Sequence, residues 1–288
     1  MSNEINTRQN TEHALCYLAA QRQLYNEAKN FTFYEIIAIF IVSLIIPICQ
    51  QFNIKIVLEN IDLSTLLVGI INLIIPHLLR NKQSQIKSIA ATIQQYFDTF
   101  VYNMSWDSLL FGEKINLNDI IAKKSKKILS NPKEKEKLLN WYTNIDVNLP
   151  LNEGILMCQK QNYVWETTLR KRFLYFTSFI SFIFILIMLL LLNKDISILT
   201  IIPIFINLFK LCFRIKTDLD NIKEIDTLVR SPKHKTMTTL KKIQSKIFLY
   251  RKSAFCIPSK FYMLFKNNDE NTTHRMAQLD KDDFYLKK

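Results

Sequence analysis

The residues LAAQRQLYNEAK (Leu18–Lys29) are followed, after Asn30, by FTFYEIIAIFIVSLIIPIC (Phe31–Cys49). The first string consists of helix-favouring and mostly polar residues, whereas the second is a nearly uncharged apolar run. A cleaved secretory signal is not expected, because the residues ahead of Phe31 are too many and too polar for an n-region and lack a small-residue cleavage site. The polar helix is therefore predicted to be kept in the mature protein and to lead directly into a membrane span.

Windows of the sequence that approach the length of a membrane-spanning helix occur in two closely spaced pairs. A span needs about 20 apolar residues, because a helix rises about 1.5 Å per residue and the hydrocarbon is about 30 Å thick. The windows are Phe31–Cys49 and Leu63–Leu79, then Phe173–Leu192 and Ile196–Phe213. A buried helix of a soluble protein could mimic one window, but it explains two such pairs poorly. The sequence therefore predicts four spans arranged as two transmembrane hairpins.

Basic residues are distributed unevenly about these predicted spans. The chain has 38 Lys and Arg residues, and the connections inside the hairpins hold only Lys55 and Lys194 among them. Because basic residues favour the cytoplasmic side, both termini and the long middle segment are predicted to be cytoplasmic. This topology and attraction to anionic lipid headgroups explain the formal net charge of +13. The lipid bilayer is thus the expected partner, and a nucleic-acid polymer is not.

Apolar residues outside the spans recur with helical spacing. They are Ile86, Ile89, Ile93, Phe97, Phe100 and Met104, then Ile215, Leu219, Ile222, Ile225 and Val229, then Leu240, Ile243 and Ile247. The first group predicts that the second span continues into the cytoplasm as one long helix. In the charged string AKKSKKILSNPKEKEK (122–137), Asn131 and Pro132 are predicted to end one helix and start the next. We expect these helices to pack as one cytoplasmic domain.

The N-terminal helix has one face formed by Leu18, Arg22, Tyr25 and Lys29. We expect this face to dock on the cytoplasmic domain, and a membrane-surface anchor helix is the alternative. The chain is then an all-α membrane protein in five parts. They are an N-terminal cytoplasmic amphipathic helix (1–30), a transmembrane hairpin (31–79), a cytoplasmic helical segment (80–172), a second transmembrane hairpin (173–213) and a cytoplasmic helical C-terminal segment (214–288).

Recognisable catalytic and metal-binding patterns are not found in the sequence. Three glycines leave little material for a phosphate-cradling loop, and the four histidines are far apart. The five cysteines occur singly, so we predict reduced structural thiols rather than a zinc site or a disulfide framework. The protein is therefore predicted to be non-enzymatic, with no catalytic residues, no metal and no cofactor.

Each predicted span carries one small polar residue near its midpoint. These residues are Ser43, Asn72, Ser181 and Asn207. They are candidate pore-lining residues, and hydrogen bonding between helices of one protomer is the alternative explanation. Four thin spans cannot enclose a wide channel, so a pore would require a homo-oligomer. Near the cytoplasmic ends of the spans, Glu35 and Lys210 are predicted to form an ion pair or to reach the headgroups.

Five ordered strings carry a resemblance to a known family. They are RQN (8–10), LAAQRQLYNEAK (18–29), SWDSLLFG (105–112), WYTNIDVNLPL (141–151) and CQKQNYVWETTLRKRF (158–173), and the tail IPSKFYMLF (257–265) also fits. Together they resemble the SMODS-associated four-transmembrane effector family of bacteria. The two hairpins on either side of a cytoplasmic segment match its layout.

The resemblance implies a membrane effector of anti-phage defence in the bacterial inner membrane. Such an effector is expected to respond to a cyclic-nucleotide second messenger made by a partner nucleotidyltransferase, to oligomerise and to permeabilise the membrane. The alternative is a non-catalytic four-span scaffold or signalling adaptor. Candidate contacts for the messenger combine arginine with aromatic residues, because arginine pairs with phosphate and aromatic rings stack on bases. They are Arg22, Tyr25, Trp141, Tyr142, Trp165 and Arg170. For Trp141, Tyr142 and Trp165, a place in the domain core is the alternative.

The predicted topology can be tested by cysteine labelling in intact cells, after the native cysteines have been replaced. A thiol introduced as Lys55→Cys should react with a membrane-impermeant reagent, and one introduced as Lys133→Cys should be protected, because basic segments stay inside. The reverse labelling pattern would mean that the arrangement is upside down.

Overall fold

The computed structural model of the chain describes residues 3–51, 61–192, 198–231 and 235–286. The ordered elements in these ranges are all helices, so the all-α prediction is confirmed. They are α1 (Ile5–Gln9), α2 (Glu12–Gln51), α3 (Ile61–Val101), α4 (Ser108–Phe111), α5 (Asn118–Leu129), α6 (Pro132–Glu136), α7 (Leu151–Leu192), α8 (Ile198–Arg230), α9 (Met237–Ser253) and α10 (Ser259–Leu286).

Four of these helices are much longer than a membrane is thick. Helices α2, α3, α7 and α8 have 40, 41, 42 and 33 residues, which corresponds to roughly 50–60 Å each at about 1.5 Å per residue. The α2 helix runs without a break through residue 30, so the polar N-terminal stretch and the first predicted span are one helix. The predicted continuation of the second span is confirmed for α3, which ends at Val101 before it reaches Met104.

The most apolar part of the bundle lies on α7. In the described part of the chain, the segment Leu151–Leu190 is the one that is long and apolar enough to cross a membrane, with a mean hydropathy of 2.5 in its most apolar window. Only 28% of that window is buried, and Phe179, Phe182 and Leu190 point outward. In the other predicted spans, some residues or their side chains are not among those that the structure describes. The four-span arrangement therefore stays a prediction.

Large apolar side chains also cover the outer surfaces of α3 and α8. Those on α3 include Ile71, Ile74 and Leu78, and those on α8 include Phe209 and Phe213. A surface of this kind is unfavourable in water and favourable against lipid. The apolar outer surface of α7 therefore continues onto α3 and α8.

The long helices form two antiparallel pairs. In each pair, the residue number of the contact partner decreases as the residue number increases along the first helix, as expected for an antiparallel hairpin. Such contacts are Tyr25–Gln94 and Glu35–Arg80 between α2 and α3, and Tyr163–Asp226 and Arg170–Asp218 between α7 and α8. The α3 and α8 helices also pack against each other and join the two pairs.

A helical domain, which the sequence predicts to be cytoplasmic and which is called the cytoplasmic domain below, is built from the ends of the long helices together with the shorter ones. The two C-terminal stripes are confirmed as buried, namely Ile215, Leu219, Ile222, Ile225 and Val229 on α8, and Leu240, Ile243 and Ile247 on α9. On α3, Ile93 and Phe97 are fully buried but Phe100 is partly exposed. The expected break between α5 and α6 is also confirmed, because the Asn131 side chain accepts the backbone N–H groups of Lys133 and Glu134.

The docking of the N-terminal helix on the cytoplasmic domain involves the predicted face of α2. Leu18 is fully buried, and Lys29 lies 5.4 Å from the centre of the Tyr262 ring of α10. Helix α2 packs mainly on α3 and α5. This arrangement agrees with docking rather than with a free helix lying on the membrane surface.

Asp98 of α3 is a fully buried carboxylate at the centre of this domain. Its Oδ2 accepts hydrogen bonds from Arg251 Nη1 at 2.5 Å and Gln244 Nε2 at 2.9 Å, and both donors belong to α9. Its Oδ1 accepts from the Tyr142 hydroxyl at 2.5 Å, and that hydroxyl accepts from Tyr102 at 2.9 Å. Burial is the main reason that the pKa of Tyr142 lies well above its ordinary value, with the Asp98 charge adding to it. One carboxylate thus holds α3, α9 and the segment before α7 together.

The Asp98–Arg251 pair generates a stability prediction. Replacing Arg251 by Met should lower the free energy of unfolding by about 3–5 kcal/mol, because it leaves a buried carboxylate without its cation. Denaturation of the detergent-solubilised protein, followed by circular dichroism, measures the change. The control is Lys242→Met on the exposed side of the same helix, which should change stability by about 0.5 kcal/mol or less. Equal effects of the two substitutions would contradict the importance of the pair.

Candidate functional site

A cluster of charges lies where the predicted spans meet the cytoplasmic domain. The Glu35 side chain of α2 is almost completely buried. Its Oε1 accepts from Arg80 of α3, at 2.8 Å from Nη2 and 2.9 Å from Nε, and from Arg214 Nη1 of α8 at 2.9 Å. Ion pairs in a poorly solvated environment are strong only when the remaining polar atoms are also satisfied. Both arginines reach Oε1, whereas Oε2 is buried and has no hydrogen-bond partner in the described part of the chain. The cluster therefore ties three of the long helices together at one level.

The predicted ion pair between Glu35 and Lys210 is wrong. Lys210 is exposed, and Arg80 and Arg214 take the position beside the carboxylate. Lys210 and Arg214 share a face of α8, but Lys210 lies one turn, or about 6 Å, farther along the helix axis toward the apolar segment. The partner of Glu35 is therefore determined by the position of the basic residue along the α8 axis, and not by the face of α8 on which it lies.

Arg170 of α7 is the centre of a second buried cluster. Its Nη1 donates to Asp218 Oδ2 of α8 at 2.7 Å and to the Phe255 carbonyl at 3.0 Å, while Nη2 donates to Glu166 at 3.1 Å. Burial by itself lowers the pKa of Arg170, but Tyr250 and the two carboxylates raise it above the ordinary value. The guanidinium is thus permanently charged and engaged with groups of its own chain.

The other predicted ligand contacts are dispersed through the cytoplasmic domain. Arg22 pairs with Glu134 at 3.0 Å, and the Tyr25 hydroxyl donates to Gln94 at 3.1 Å. Tyr142 belongs to the Asp98 network, Trp141 is partly exposed, and the Trp165 side chain lies outside the described part. Of the five whose side chains are described, only Tyr142 lines either of the two clefts described below, and the role of all six in ligand binding stays a prediction.

The polar residues of the predicted spans are partly explained by contacts between helices. The Asn207 side chain of α8 donates to the backbone carbonyl of Asn72 of α3 at 2.9 Å, and both residues are buried. Ser181 of α7 is also buried, and the Ser43 side chain lies outside the described residues. The Asn72–Asn207 contact is the interhelical bond expected under the alternative explanation, and pore lining stays a prediction.

A cleft of about 490 Å³ opens on the surface of the cytoplasmic domain. Its walls come from α1, the first turns of α2, the last turns of α3 and the segment that follows α3. The charged and aromatic residues that line it are Arg8, His13, Tyr17, Tyr96, Phe100, Trp106 and Lys114. None of these residues was singled out as a ligand contact from the sequence, because no local spacing joins positions so far apart. Two of the strings that carry the family resemblance, RQN and SWDSLLFG, supply Arg8 and Trp106.

A second cleft, of about 420 Å³, is lined by backbone and side-chain groups of mostly polar residues. It contains Asn6, Asn140, Tyr142, Asn144 and Lys281. Of the predicted ligand contacts, only Tyr142 reaches it. Its lining is richer in amides than in rings or cations, so it suits a stacked anionic ligand less well than the first cleft.

Metal-ligating groups are not clustered in the described part of the chain, where no three His, Cys, Asp or Glu side chains are arranged to hold an ion. Cys16, Cys158, Cys212 and Cys256 are free thiols, as predicted, and the Cys49 side chain lies outside the described residues. Burial raises the pKa of the Cys158 thiol well above its ordinary value. Such a thiol stays protonated and packs as an apolar group.

Comparison with known proteins identifies the class to which the fold and these sites belong. The family model of the SMODS-associating 4TM effector domain matches residues 3–279. The chain belongs to this family of effector domains, which confirms the resemblance carried by the five strings, and it is accordingly a membrane protein.

A protein of Bacillus cereus (strain VD146), named "Probable CBASS effector molecule", is similar to this chain. The two are 28% identical over 190 residues, which covers 62% of this chain and 60% of the relative. The match therefore spans less than two thirds of the relative's length. No solved structure matches the chain.

Double-mutant cycles test the charge cluster at the predicted membrane boundary. We expect a coupling free energy of about 1–3 kcal/mol between Glu35→Ala and Arg214→Ala, because the two side chains are in direct contact. The cycle of Glu35→Ala with Lys210→Ala should give a coupling of about 0.5 kcal/mol or less. Unfolding of the detergent-solubilised variants provides the measurement. A larger coupling to Lys210 than to Arg214 would reverse the assignment.

Proposed function

We propose that this protein is a membrane effector of a bacterial anti-phage defence system and is activated by a cyclic-nucleotide second messenger. Membership of the effector-domain family supports this proposal. The name of the Bacillus cereus relative, a probable CBASS effector, supports the link to cyclic-nucleotide signalling. We propose further that the protein acts without catalysis, and that a partner nucleotidyltransferase makes the messenger.

The observation that carries the proposal is the continuity of the long helices. Helices α2, α3 and α8 each run from a predicted span into the cytoplasmic domain without a break, and Glu35, Arg80 and Arg214 join them at the boundary. Rigid helices transmit displacements along their length. A rearrangement of the cytoplasmic ends therefore has to move the membrane segments as well.

The outward apolar faces of α3, α7 and α8 support a multi-pass arrangement in the inner membrane. On the positive-inside argument, both termini and the segment between the hairpins lie in the cytoplasm. This topology puts the whole polar domain on the side where a messenger is made. Four spans and this orientation belong to the proposal.

The proposed output is permeabilisation of the membrane by a homo-oligomer of the activated protein. Asn72 and Asn207, with Ser43 and Ser181, would then line water in the oligomer. In the arrangement described above, Asn207 donates to the Asn72 carbonyl, and such interhelical bonds contribute only about 0.6 kcal/mol on average. Breaking this bond is cheap compared with the roughly 8 kcal/mol that a micromolar ligand releases on binding. The closed contact is thus compatible with opening by a messenger.

A non-catalytic scaffold or signalling adaptor is the second candidate function. The buried Asn72–Asn207 contact favours it, because a permanent interhelical bond leaves no role for these residues in a pore. A scaffold would bind partners without releasing ions or dye. Leakage measurements therefore separate the two functions.

We expect wild-type protein in dye-loaded liposomes to release dye when cyclic di- and trinucleotides are added. The Asn207→Leu variant should insert normally and release much less dye, because leucine removes the polar surface that water needs. Phe209→Leu is the matched control, since Phe209 points outward on the same helix, and it should leak like the wild type.

Two outcomes would contradict the proposed output. Full leakage from a stably inserted Asn72→Leu, Asn207→Leu double variant would exclude these residues as a pore lining. Absence of leakage from the wild type with every nucleotide, in spite of binding, would favour the scaffold.

A further inference from the structure

We propose that the cleft between α1, α2 and α3 is the binding site for a cyclic oligonucleotide, an anionic ring with two or three stackable bases. The inference rests on the proposed function, which calls for a messenger but does not say where it binds. The ligand must offer phosphate to cations and flat rings to aromatic side chains. Both kinds of partner line this cleft, and the residues that supply them come from α1, α2, α3 and the segment that follows α3.

The cationic part of the cleft is formed by Arg8 and Lys114. Arg8 Nε donates to the Val101 carbonyl at 2.8 Å, and Nη1 donates to Glu4 at 3.2 Å. Its Nη2 is buried and has no hydrogen-bond partner in the described part of the chain. A buried guanidinium N–H of this kind is costly unless a further acceptor arrives. After a shift of the Arg8 side chain toward the cleft, a phosphate oxygen would supply that acceptor and add a negative charge beside an arginine that Glu4 only partly neutralises.

Lys114 supplies a second cation to the lining of the cleft. Its ammonium lies 5.6 Å from the centre of the Tyr96 ring and is exposed. At the rim, Lys241 donates to the hydroxyl of Ser105 at 2.8 Å and lies 4.0 Å from Asp107. The acidic neighbours of the cleft, Glu4 and Asp107, are thus each already close to a cation. A phosphodiester entering the cleft meets the cations of Arg8 and Lys114.

The aromatic part of the cleft is a continuous series of rings. The His13 and Tyr17 centroids are 4.5 Å apart, Tyr17 and Tyr96 are 6.1 Å apart, and Tyr96 and Trp106 are 5.1 Å apart, all edge-to-face. The Trp106 N–H donates to the Gly112 carbonyl at 2.8 Å, which fixes the orientation of the indole. Base–aromatic stacking contributes about 1–3 kcal/mol per base, and rings held in place lose little entropy on binding.

The dimensions fit a small cyclic ligand better than a nucleic-acid strand. A cleft of about 490 Å³ lies within the range of roughly 300–1,000 Å³ that is typical of small-molecule sites. Strand-binding grooves follow the backbone over about 4–16 nucleotides with cations along their length. This cleft presents its cations over one short distance only. A compact ligand with few phosphates matches it.

The position of the cleft connects binding to the membrane boundary. His13 and Tyr17 belong to α2, and Tyr96 belongs to α3, so the ligand contacts the same two helices that carry Glu35 and Arg80. Tyr17 and Glu35 are about 27 Å apart along α2, at about 1.5 Å per residue. A ligand that draws the two walls together therefore acts on the charge cluster through continuous helix.

The test uses the full chain in lipid nanodiscs and isothermal titration calorimetry. The probes are cyclic di-AMP, cyclic di-GMP, cyclic GMP–AMP and cyclic tri-adenylate, with AMP and inorganic pyrophosphate as non-cyclic controls. The variants are Lys114→Ala and His13→Ala, both at exposed positions, and Arg8→Lys, which keeps the charge but loses the fork. The matched control is Lys123→Ala on the exposed side of α5. Circular dichroism establishes that each variant is folded.

We expect one cyclic probe to bind the wild type and the Lys123→Ala control equally. Its affinity should fall by about tenfold or more in Lys114→Ala and in Arg8→Lys, because each loses a charge-assisted contact. The His13→Ala variant should bind more weakly through lost stacking. Pyrophosphate binding as tight as that of the cyclic probe would show that only phosphate is recognised and would overturn the stacking role.

Two further outcomes distinguish a failure of the proposed binding site from a failure of the proposed function. If the wild type binds a cyclic probe and all three folded variants bind it as tightly, the messenger binds elsewhere and the assignment of the cleft is wrong, while the proposed function stands. If the wild type binds none of the probes, the site and the messenger part of the proposed function fail together.

Discussion

The buried carboxylate of Asp98 is the interaction on which the cytoplasmic domain depends. A charge with no exposure to water is tolerated only when a cation and further donors surround it, and here Arg251, Gln244 and Tyr142 are those partners. They come from segments on both sides of the second hairpin. The domain therefore cannot form from one half of the chain. The two hairpins are joined by this buried polar network as well as by apolar packing.

Polar centres recur along the bundle at successive levels. Asp98 with Arg251 lies inside the domain, Arg170 with Asp218 joins α7 to α8, and Glu35 with its arginines lies at the predicted membrane boundary. Each requires good geometry, because a displaced partner leaves a poorly solvated charge unpaired. Apolar surfaces can slide past one another at low cost, whereas such pairs exist in few arrangements. This property suits the proposed function, in which the protein holds one state until a messenger binds.

Features set by local spacing could be predicted from the sequence, and features set by the meeting of distant segments could not. The stripe from Ile215 to Val229 and the break at Asn131 depend only on helical period and capping, and both were predicted correctly. The partner of Glu35 depends on the relative depth of two helices, which spacing does not encode, so Arg214 was missed in favour of Lys210. The cleft brings Arg8, Tyr96 and Trp106 together from separate segments, and sequence reasoning had no signal for it beyond the strings that carry the resemblance.

The sharing of one Glu35 oxygen by two arginines has a consequence for biosynthesis. Arg80 lies 45 residues after Glu35, so it emerges from the ribosome with the first hairpin, whereas Arg214 follows Glu35 by 179 residues. In the predicted four-span arrangement, the first hairpin can enter the bilayer with its acidic residue already neutralised by Arg80. The second arginine arrives only when the second hairpin has been made. Completion of this triad thus requires that the second hairpin has been made, so a chain that ends before Arg214 lacks this ion pair.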